Sequence, residues 1–345
     1  MKKKVLVVHR ADKLYYEFKN FCEQSENPVF RELEISYAKD TNAVRYGNFE
    51  KYVQKMEKEG PEWITPDPEI LEKIADADVV LTEWGGFSSE VIAAGKQLKL
   101  IVTIRSSCEN INVSYAQSQG VKVVYCPSRL AEVVGDMTIA LMLSECRGIV
   151  RRNLVNTRGI WVEEKYNDES HAALCNLKIG LLGYGGVAKA VAKRLIHGFG
   201  CDMVYAYDQF LTPEDLARDG VTAASLEEIC RICDIISLHL RYVPETENII
   251  GREQFAMMKK NAIVINTARA GLLDEEALAE ALQNGQIRGA GLDVYKVEPL
   301  PLDSPLLHMD NVTLMPHSAG ITNDLIKNSV KLAVKIMEPL LKEIN

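Results

Sequence analysis

A series of short apolar runs in this 345-residue chain each end in a residue able to do chemistry. The run from Ile179 ends at Gly183, that from Met203 at Asp208 and that from Asp234 at His239. The run from Ala262 leads into Thr267-Ala268-Arg269, that from Gly289 into Asp293, and that from Val312 into Pro316-His317; Glu298 follows shortly after Asp293. Such runs read as buried strands of a parallel sheet, and ligands of open parallel sheets bind outside the carboxyl ends of the strands. Gly183-Tyr184-Gly185-Gly186-Val187-Ala188 is a G-x-G-x-x-A turn leading into a helix. Its backbone can approach a pyrophosphate, and the helix N-terminus favours the anion. Asp208 lies 20 residues beyond Ala188, where a carboxylate accepts hydrogen bonds from an adenosine ribose. An arginine, a glutamate and a histidine beside a dinucleotide site suggest hydride transfer to or from a carbonyl carbon. Histidine suits the accompanying proton, a carboxylate beside it would fix the ring and favour its charged form, and an arginine would clamp a substrate carboxylate and polarise the neighbouring oxygen. That assigns His317, Glu298 and Arg269. Each has a plainer alternative: Arg269 as a surface ion-pair residue, Glu298 as a loop cap before Pro299, His317 as a satisfied core histidine. His239 reads as structural or cofactor-lining, not catalytic.

Strand and helix patterns alternate along the whole chain, which implies α/β architecture with parallel sheets wound on both faces. Earlier strands are expected at Val5–Val8, Glu32–Ser36, Asp78–Thr82, Leu100–Ile104 and Val121–Tyr125. Residues 41–66 are rich in charge and read as a solvated surface element with a helix near Phe49–Lys58. Ser128 to Val150 reads as one long apolar helix, suited to crossing between domains, to a subunit interface or to a plain core. Thr212-Pro213 and Ser225-x-x-Glu228 are helix-start signals, and a long amphipathic helix over Thr322–Lys342 closes the chain. The length suggests about two domains.

Net charge is -8, which argues against nucleic acid or an acidic membrane as the main partner. No run approaches the roughly 20 apolar residues of a membrane span. The eight cysteines are scattered; Cys230-x-x-Cys233 lacks a second pair to complete a zinc site, so no metal is expected and the compartment reads as reducing cytoplasm.

Four stretches carry a family resemblance: LGYGGVAKAVA from Leu182, VINTARAGLLDEEAL from Val264, GLDVYKVEPL from Gly291 and LMPHSAG from Leu314. Together they resemble the NAD-dependent D-isomer-specific 2-hydroxyacid dehydrogenases. The resemblance implies two Rossmann-like or flavodoxin-like domains with a cleft between them. A substrate domain of residues 1–125 plus 319–345 and an NAD-binding domain of residues 126–318 are expected. It implies that Arg269 binds the substrate carboxyl and carbonyl, and that Glu298 pairs with His317, the acid/base. Asp208 becomes the ribose ligand, Asp293 lies near the nicotinamide amide, and Gly183, Tyr184, Gly185, Gly186, Val187, His239, Thr267 and Ala268 line the NAD site. A homodimer acting on a small 2-hydroxy or 2-oxo acid follows. The commoner substrate loop, G-x-G-x-DN-x-D, is here Arg105-Ser106-Ser107-Cys108-Glu109-Asn110-Ile111-Asn112, with both glycines replaced. Arg105, Ser106 and Ser107 then form a variant substrate pocket. Arg105 is expected as a second cationic contact, suiting a sugar acid or a phosphorylated acid, or else as a structural arginine. The rival reading is an NAD(H)-sensing, corepressor-like interaction protein that keeps the fold.

Overall fold

The computed structural model describes residues 2–161 and 172–344. Residues 162–171, part of a polar stretch expected over 151–176, lie outside the described residues. The chain forms two compact units, one of Met1–Arg129 with Thr322–Asn345 and one of Leu130–Ile321.

The first unit is built on a five-stranded parallel sheet: β1 (Lys4–His9), β2 (Glu34–Lys39), β3 (Val79–Thr82), β4 (Leu100–Thr103) and β5 (Lys122–Tyr125), in the order β2-β1-β3-β4-β5. Side chains alternate across a strand, so a sheet covered on both faces needs apolar residues at successive positions. Val5 and Val7 enter one core with Leu14 and Phe18 of the Lys13–Gln24 helix and Val334 and Met337 of the closing Leu325–Glu343 helix. Leu6 and Val8 enter the other, with Ile70, Ile74, Val91 and Ile92. The first crossing out of this unit comes after Arg129 and not after Tyr125 as expected. Arg129 is tied back to the first sheet by hydrogen bonds to Glu83 and to the Ile104 carbonyl.

Residues 41–66 depart from the expected solvated surface element. They form helices Asn42–Tyr46 and Phe49–Glu59 around a small core of Ala43, Tyr52, Met56 and Ile64, with Phe49, Val53 and Trp63 packed on it. Phe49, Tyr52, Val53 and Met56 fall at i, i+3, i+4 and i+7, a helical stripe that the abundant lysine and glutamate obscure.

The second unit carries a seven-stranded parallel sheet: β6 (Ile179–Leu182), β7 (Val204–Tyr207), β8 (Thr222–Ala223), β9 (Ile235–Leu238), β10 (Ile263–Asn266), β11 (Gly289–Leu292) and β12 (Val312–Leu314). Their order is β12-β11-β10-β9-β6-β7-β8. Val264 faces one core with Leu238 and Leu292, while Ile263 and Ile265 face the other with Ile179 and Leu181. Thr212 and Ser225 both cap their helices through the expected local signals, each in a reciprocal capping box. The long helix is shorter than expected, Ala131–Arg147. Gly148, in left-handed conformation, ends it and a second helix, Ile149–Asn156, follows. The first of these is a core helix: Ile139, Leu141, Met142 and Cys146 pack against the sheet and against the Gly186–Phe199 helix. At Gly135 a side chain would press within 3.2 Å of the Ala190 Cβ, which is why glycine stands there. Among the described residues no helix is long and apolar enough to cross a membrane.

Candidate active site

Strand register lines up the chemistry of the second unit. Tyr207 pairs with Leu182, Leu182 with Leu238, Leu238 with Asn266, Asn266 with Leu292, and Leu292 with Leu314. The residues that follow, Asp208, Gly183, His239, Thr267 and Asp293, therefore emerge side by side along one sheet edge. Chain order reverses between β6 and β9, the point where such sheets open a crevice for a ligand.

The glycine turn stands at that point. Gly183 has φ +89°, and a Cβ there would lie within 3.0 Å of the His239 carbonyl and the Leu240 nitrogen. Only glycine accepts both the conformation and the approach. A Cβ on Gly185 would meet nothing within 4 Å, so the backbone entering the Gly186–Phe199 helix is open on that side. This exposed helix start fits a pyrophosphate held by backbone N–H groups. Asp208 accepts hydrogen bonds from the Tyr184 nitrogen (2.8 Å) and the Phe210 nitrogen (2.9 Å), which fix its carboxylate beside the turn. His239 lies within hydrogen-bond distance of Ser237 Oγ (2.9 Å), and burial holds its pKa well below the usual imidazole value, so the ring is neutral.

Beyond β10, Asn266 builds the turn that presents Arg269. Its side-chain oxygen accepts from the Ala268 nitrogen (3.1 Å) and its amide donates to the Arg269 carbonyl (3.0 Å). Thr267 shares a hydrogen bond with Thr138 of the core helix (2.8 Å). The Arg269 guanidinium is exposed and donates to the Ala268 carbonyl (2.8 Å); no hydrogen bond joins it to Glu298 or His317.

Glu298 and His317 are joined. Glu298 Oε2 lies 2.7 Å from His317 Nδ1, and Glu298 Oε1 accepts from the Tyr295 nitrogen at 3.0 Å. With Nδ1 engaged, Nε2 is the nitrogen left for a substrate. His317 has φ +51°, a left-handed conformation that costs energy outside glycine. Asp293 holds it there: its two oxygens accept from the Ser318 nitrogen (2.8 Å) and the Ala319 nitrogen (2.9 Å). Burial pushes the Asp293 carboxyl above its usual range, opposed by those two bonds and by the nearby His317. Tyr295 was not singled out by sequence reasoning. Its buried hydroxyl bonds the Met315 carbonyl (2.7 Å) and lies 3.1 Å from that of Leu292, tying the ends of β11 and β12 together. Its place between Asp293 and Glu298 was the available signal.

Arg105, Ser106 and Ser107 belong to the first unit. Arg105 is 4% exposed and is no free cation. Its Nη2 donates to Glu57 (3.0 Å) and Glu109 (3.4 Å), and its guanidinium lies 3.8 Å from the centre of the Trp84 ring. Burial lowers its pKa and the two carboxylates oppose that. The second cationic contact expected of it thus sits in an acidic pair, because the helix carrying Glu57 folds over it. Ser107 Oγ donates to Glu109 (2.5 Å), and Ser106 is exposed. The first unit also holds a buried network outside the residues expected from the sequence: Glu83, at the end of β3, binds His9 Nε2 (2.5 Å) and Arg129 Nη2 (2.7 Å). The place of Glu83 directly after the apolar run of β3 is the signal that marks it.

Residues 139–319 match the model for the D-isomer specific 2-hydroxyacid dehydrogenase NAD binding domain. The chain belongs to this family. Its members are NAD-dependent oxidoreductases acting on the CH–OH group of 2-hydroxy acids, and the second unit holds its NAD-binding domain. The chain is 37% identical over 276 residues to the D-3-phosphoglycerate dehydrogenase of Methanocaldococcus jannaschii, covering 79% of this chain but 52% of that one. It thus spans about half the length of that relative. It is 34% identical over 275 residues to a glyoxylate/hydroxypyruvate reductase B of Yersinia pestis, covering 79% of this chain and 83% of that one. The crystal structure of a D-lactate dehydrogenase with NAD+ from Lactobacillus jensenii superposes with TM-score 0.76 at 25% identity, covering 99% and 98% of the two chains. Both units of this 2-hydroxyacid dehydrogenase family member are therefore of the expected doubly wound parallel type.

Proposed function

We propose that this chain interconverts a D-2-hydroxy acid and its 2-oxo acid with NAD(H), and that His317, Glu298 and Arg269 carry the reaction. The 2.7 Å contact of Glu298 with His317 Nδ1 carries the reading, since the ring stays half exposed at the sheet edge that carries the glycine turn and keeps Nε2 open to a substrate. The bound nicotinamide supplies or accepts the hydride. In reduction, His317 gives a proton from Nε2 to the oxygen of the 2-oxo group, and Glu298 holds the ring through Nδ1 and balances its charge. Arg269, with only a backbone carbonyl as hydrogen-bond partner among the described residues, has donors left to clamp the substrate carboxylate and polarise the reacting oxygen. Gly183, Tyr184, Gly185, Gly186 and Val187 offer backbone to the pyrophosphate, and Asp208 takes the ribose hydroxyls. His239, Thr267, Ala268 and Asp293 line the nicotinamide side, and Ser106 and Ser107 meet the substrate.

We read the protein as a cytoplasmic homodimer. Free thiols at all eight cysteines support a reducing compartment, and exposed Ile149, Leu154 and Trp161 near the Ile149–Asn156 helix support a protein interface. A panel of 2-oxo acids with NADH tests the activity. His317→Ala is expected to lower kcat by about 10²–10⁴ with NADH binding retained. NADH binding without turnover across the panel, or near wild-type turnover by His317→Ala, would favour the corepressor-like alternative.

A further inference from the structure

His317 follows the edge strand of the second sheet. β12, which leads to it, has β11 as its single neighbour. An edge strand leaves one row of its backbone groups without a ladder partner. The last bond from this strand to β11 runs from the Met315 nitrogen to the Leu292 carbonyl at 2.8 Å. Pro316 comes next and has no N–H to offer. A group that must meet its substrate within hydrogen-bond reach is thus carried by a strand held on one side only.

The turn after β11 makes up the deficit. Asp293, Tyr295 and Glu298 each reach a different point of residues 315–319. Upstream of His317, the Tyr295 hydroxyl donates to the Met315 carbonyl at 2.7 Å, and among the described residues no other hydrogen bond reaches that carbonyl. At the ring, Glu298 Oε2 lies 2.7 Å from Nδ1. Downstream, Asp293 accepts from the Ser318 and Ala319 nitrogens at 2.8 and 2.9 Å. Tyr295 serves twice, because its own nitrogen donates to Glu298 Oε1 at 3.0 Å. Its backbone sets the carboxylate, and its side chain sets the peptide that leads to the imidazole. Tyr295 is 7% exposed, and burial pushes its hydroxyl pKa up, so the group stays a donor. The Leu292 carbonyl, 3.1 Å away, already accepts from the Met315 nitrogen, which leaves the shorter bond, to Met315, as the one the proton makes.

We propose that Tyr295 is a positioning residue for the acid/base: through Met315 on one side and Glu298 on the other, it fixes where His317 presents Nε2. This rests on the dehydrogenase reading above and adds to it a residue that acts through His317 and not on the substrate. A phenylalanine would fill the same space, but it would leave the Met315 carbonyl without its partner and the segment before His317 without its upstream anchor.

The experiment uses Tyr295→Phe, which removes the hydroxyl and keeps the ring; thermal unfolding checks its fold. In reduction of a 2-oxo acid, kcat is expected to fall about threefold to tenfold, the worth of one hydrogen bond, with the Kd for NADH within about twofold of wild type. In a His317→Ala background the same change should alter the residual rate by less than about twofold, since a residue that acts through His317 has nothing left to place. A general structural role would lower the rate by the same factor in both backgrounds. Hydrogen exchange read by mass spectrometry follows the segment without turnover. Peptides spanning residues 315–319 should exchange about threefold or more faster in Tyr295→Phe, while those of β9 and β10 keep the wild-type rate. A protein that turns over no 2-oxo acid but shows this local change fails the dehydrogenase reading and keeps the anchoring by Tyr295. Equal losses in both backgrounds, an unchanged kcat, or exchange that is unmoved at residues 315–319 or raised across the whole sheet, overturns the proposal.

Discussion

Asp293→Asn separates the holding of His317 from contact with the cofactor. Asp293 gives one carboxylate oxygen to the Ser318 nitrogen and the other to the Ala319 nitrogen, immediately after His317 at φ +51°. A non-glycine residue in left-handed conformation is disfavoured by about 1–2 kcal/mol. Two hydrogen bonds to a charged acceptor, each worth about 1.5–3 kcal/mol, exceed that strain and fix one backbone conformation. Asparagine keeps one acceptor and turns an amide against the other N–H. The remaining neutral bond, about 0.5–1.5 kcal/mol, no longer outweighs the strain, so the His317 backbone samples more than one state. Burial raises the Asp293 carboxyl pKa, and removing that charge returns part of the desolvation cost, which bounds the loss. The expected outcome is kcat lower by about 10–10², or roughly 1.4–2.8 kcal/mol, with the KM for NADH changed by less than about threefold. Steady-state reduction of a 2-oxo acid with varied NADH measures both. If Asp293 acts mainly on the nicotinamide amide, as the family resemblance implies, KM for NADH rises and kcat holds. Both parameters within about twofold of wild type would refute the holding role.

Asp208→Ser should weaken NAD and relax its preference over NADP, because the carboxylate that would repel a 2′-phosphate is gone; equal use of both cofactors by the wild type would refute that role. Acid should destabilise the protein through Glu83. Burial acts to raise its pKa, but the bonds and charges of His9 and Arg129 prevail and hold it near 2 against an ordinary value of about 4.5. A carboxyl depressed on folding stabilises above its unfolded pKa, and that stability is lost as pH falls from about 4.5 toward 2, roughly 3 kcal/mol in all. Urea unfolding should show that slope in the wild type and lose it in Glu83→Gln, which should also cost roughly 3–5 kcal/mol at neutral pH by leaving the buried Arg129 guanidinium without its carboxylate.

Local sequence was enough to place the glycine turn, Asp208, His239, Arg269, Asp293 and His317 at strand ends, with Glu298 shortly after Asp293. Each follows an apolar run whose length and composition mark a buried parallel strand, and the edge such strands share is a property of the sheet, not of any one segment. Capping at Thr212 and Ser225 was legible because it is closed within four residues. Tertiary structure alone decided how those ends are tied. Tyr295 spans β11 to β12, Asp293 holds the turn after His317, and Thr138 reaches Thr267 from a distant helix; such partners are set by register and packing, which pairing between remote segments establishes. The same holds for residues 41–66 and Arg105. Charge in that segment hid the stripe of Phe49, Tyr52, Val53 and Met56, and nothing near Arg105 in sequence shows that Glu57 is its partner. A residue's type announces what it can do, but whether an arginine meets an anion as a free charge depends on which carboxylates the fold brings within reach.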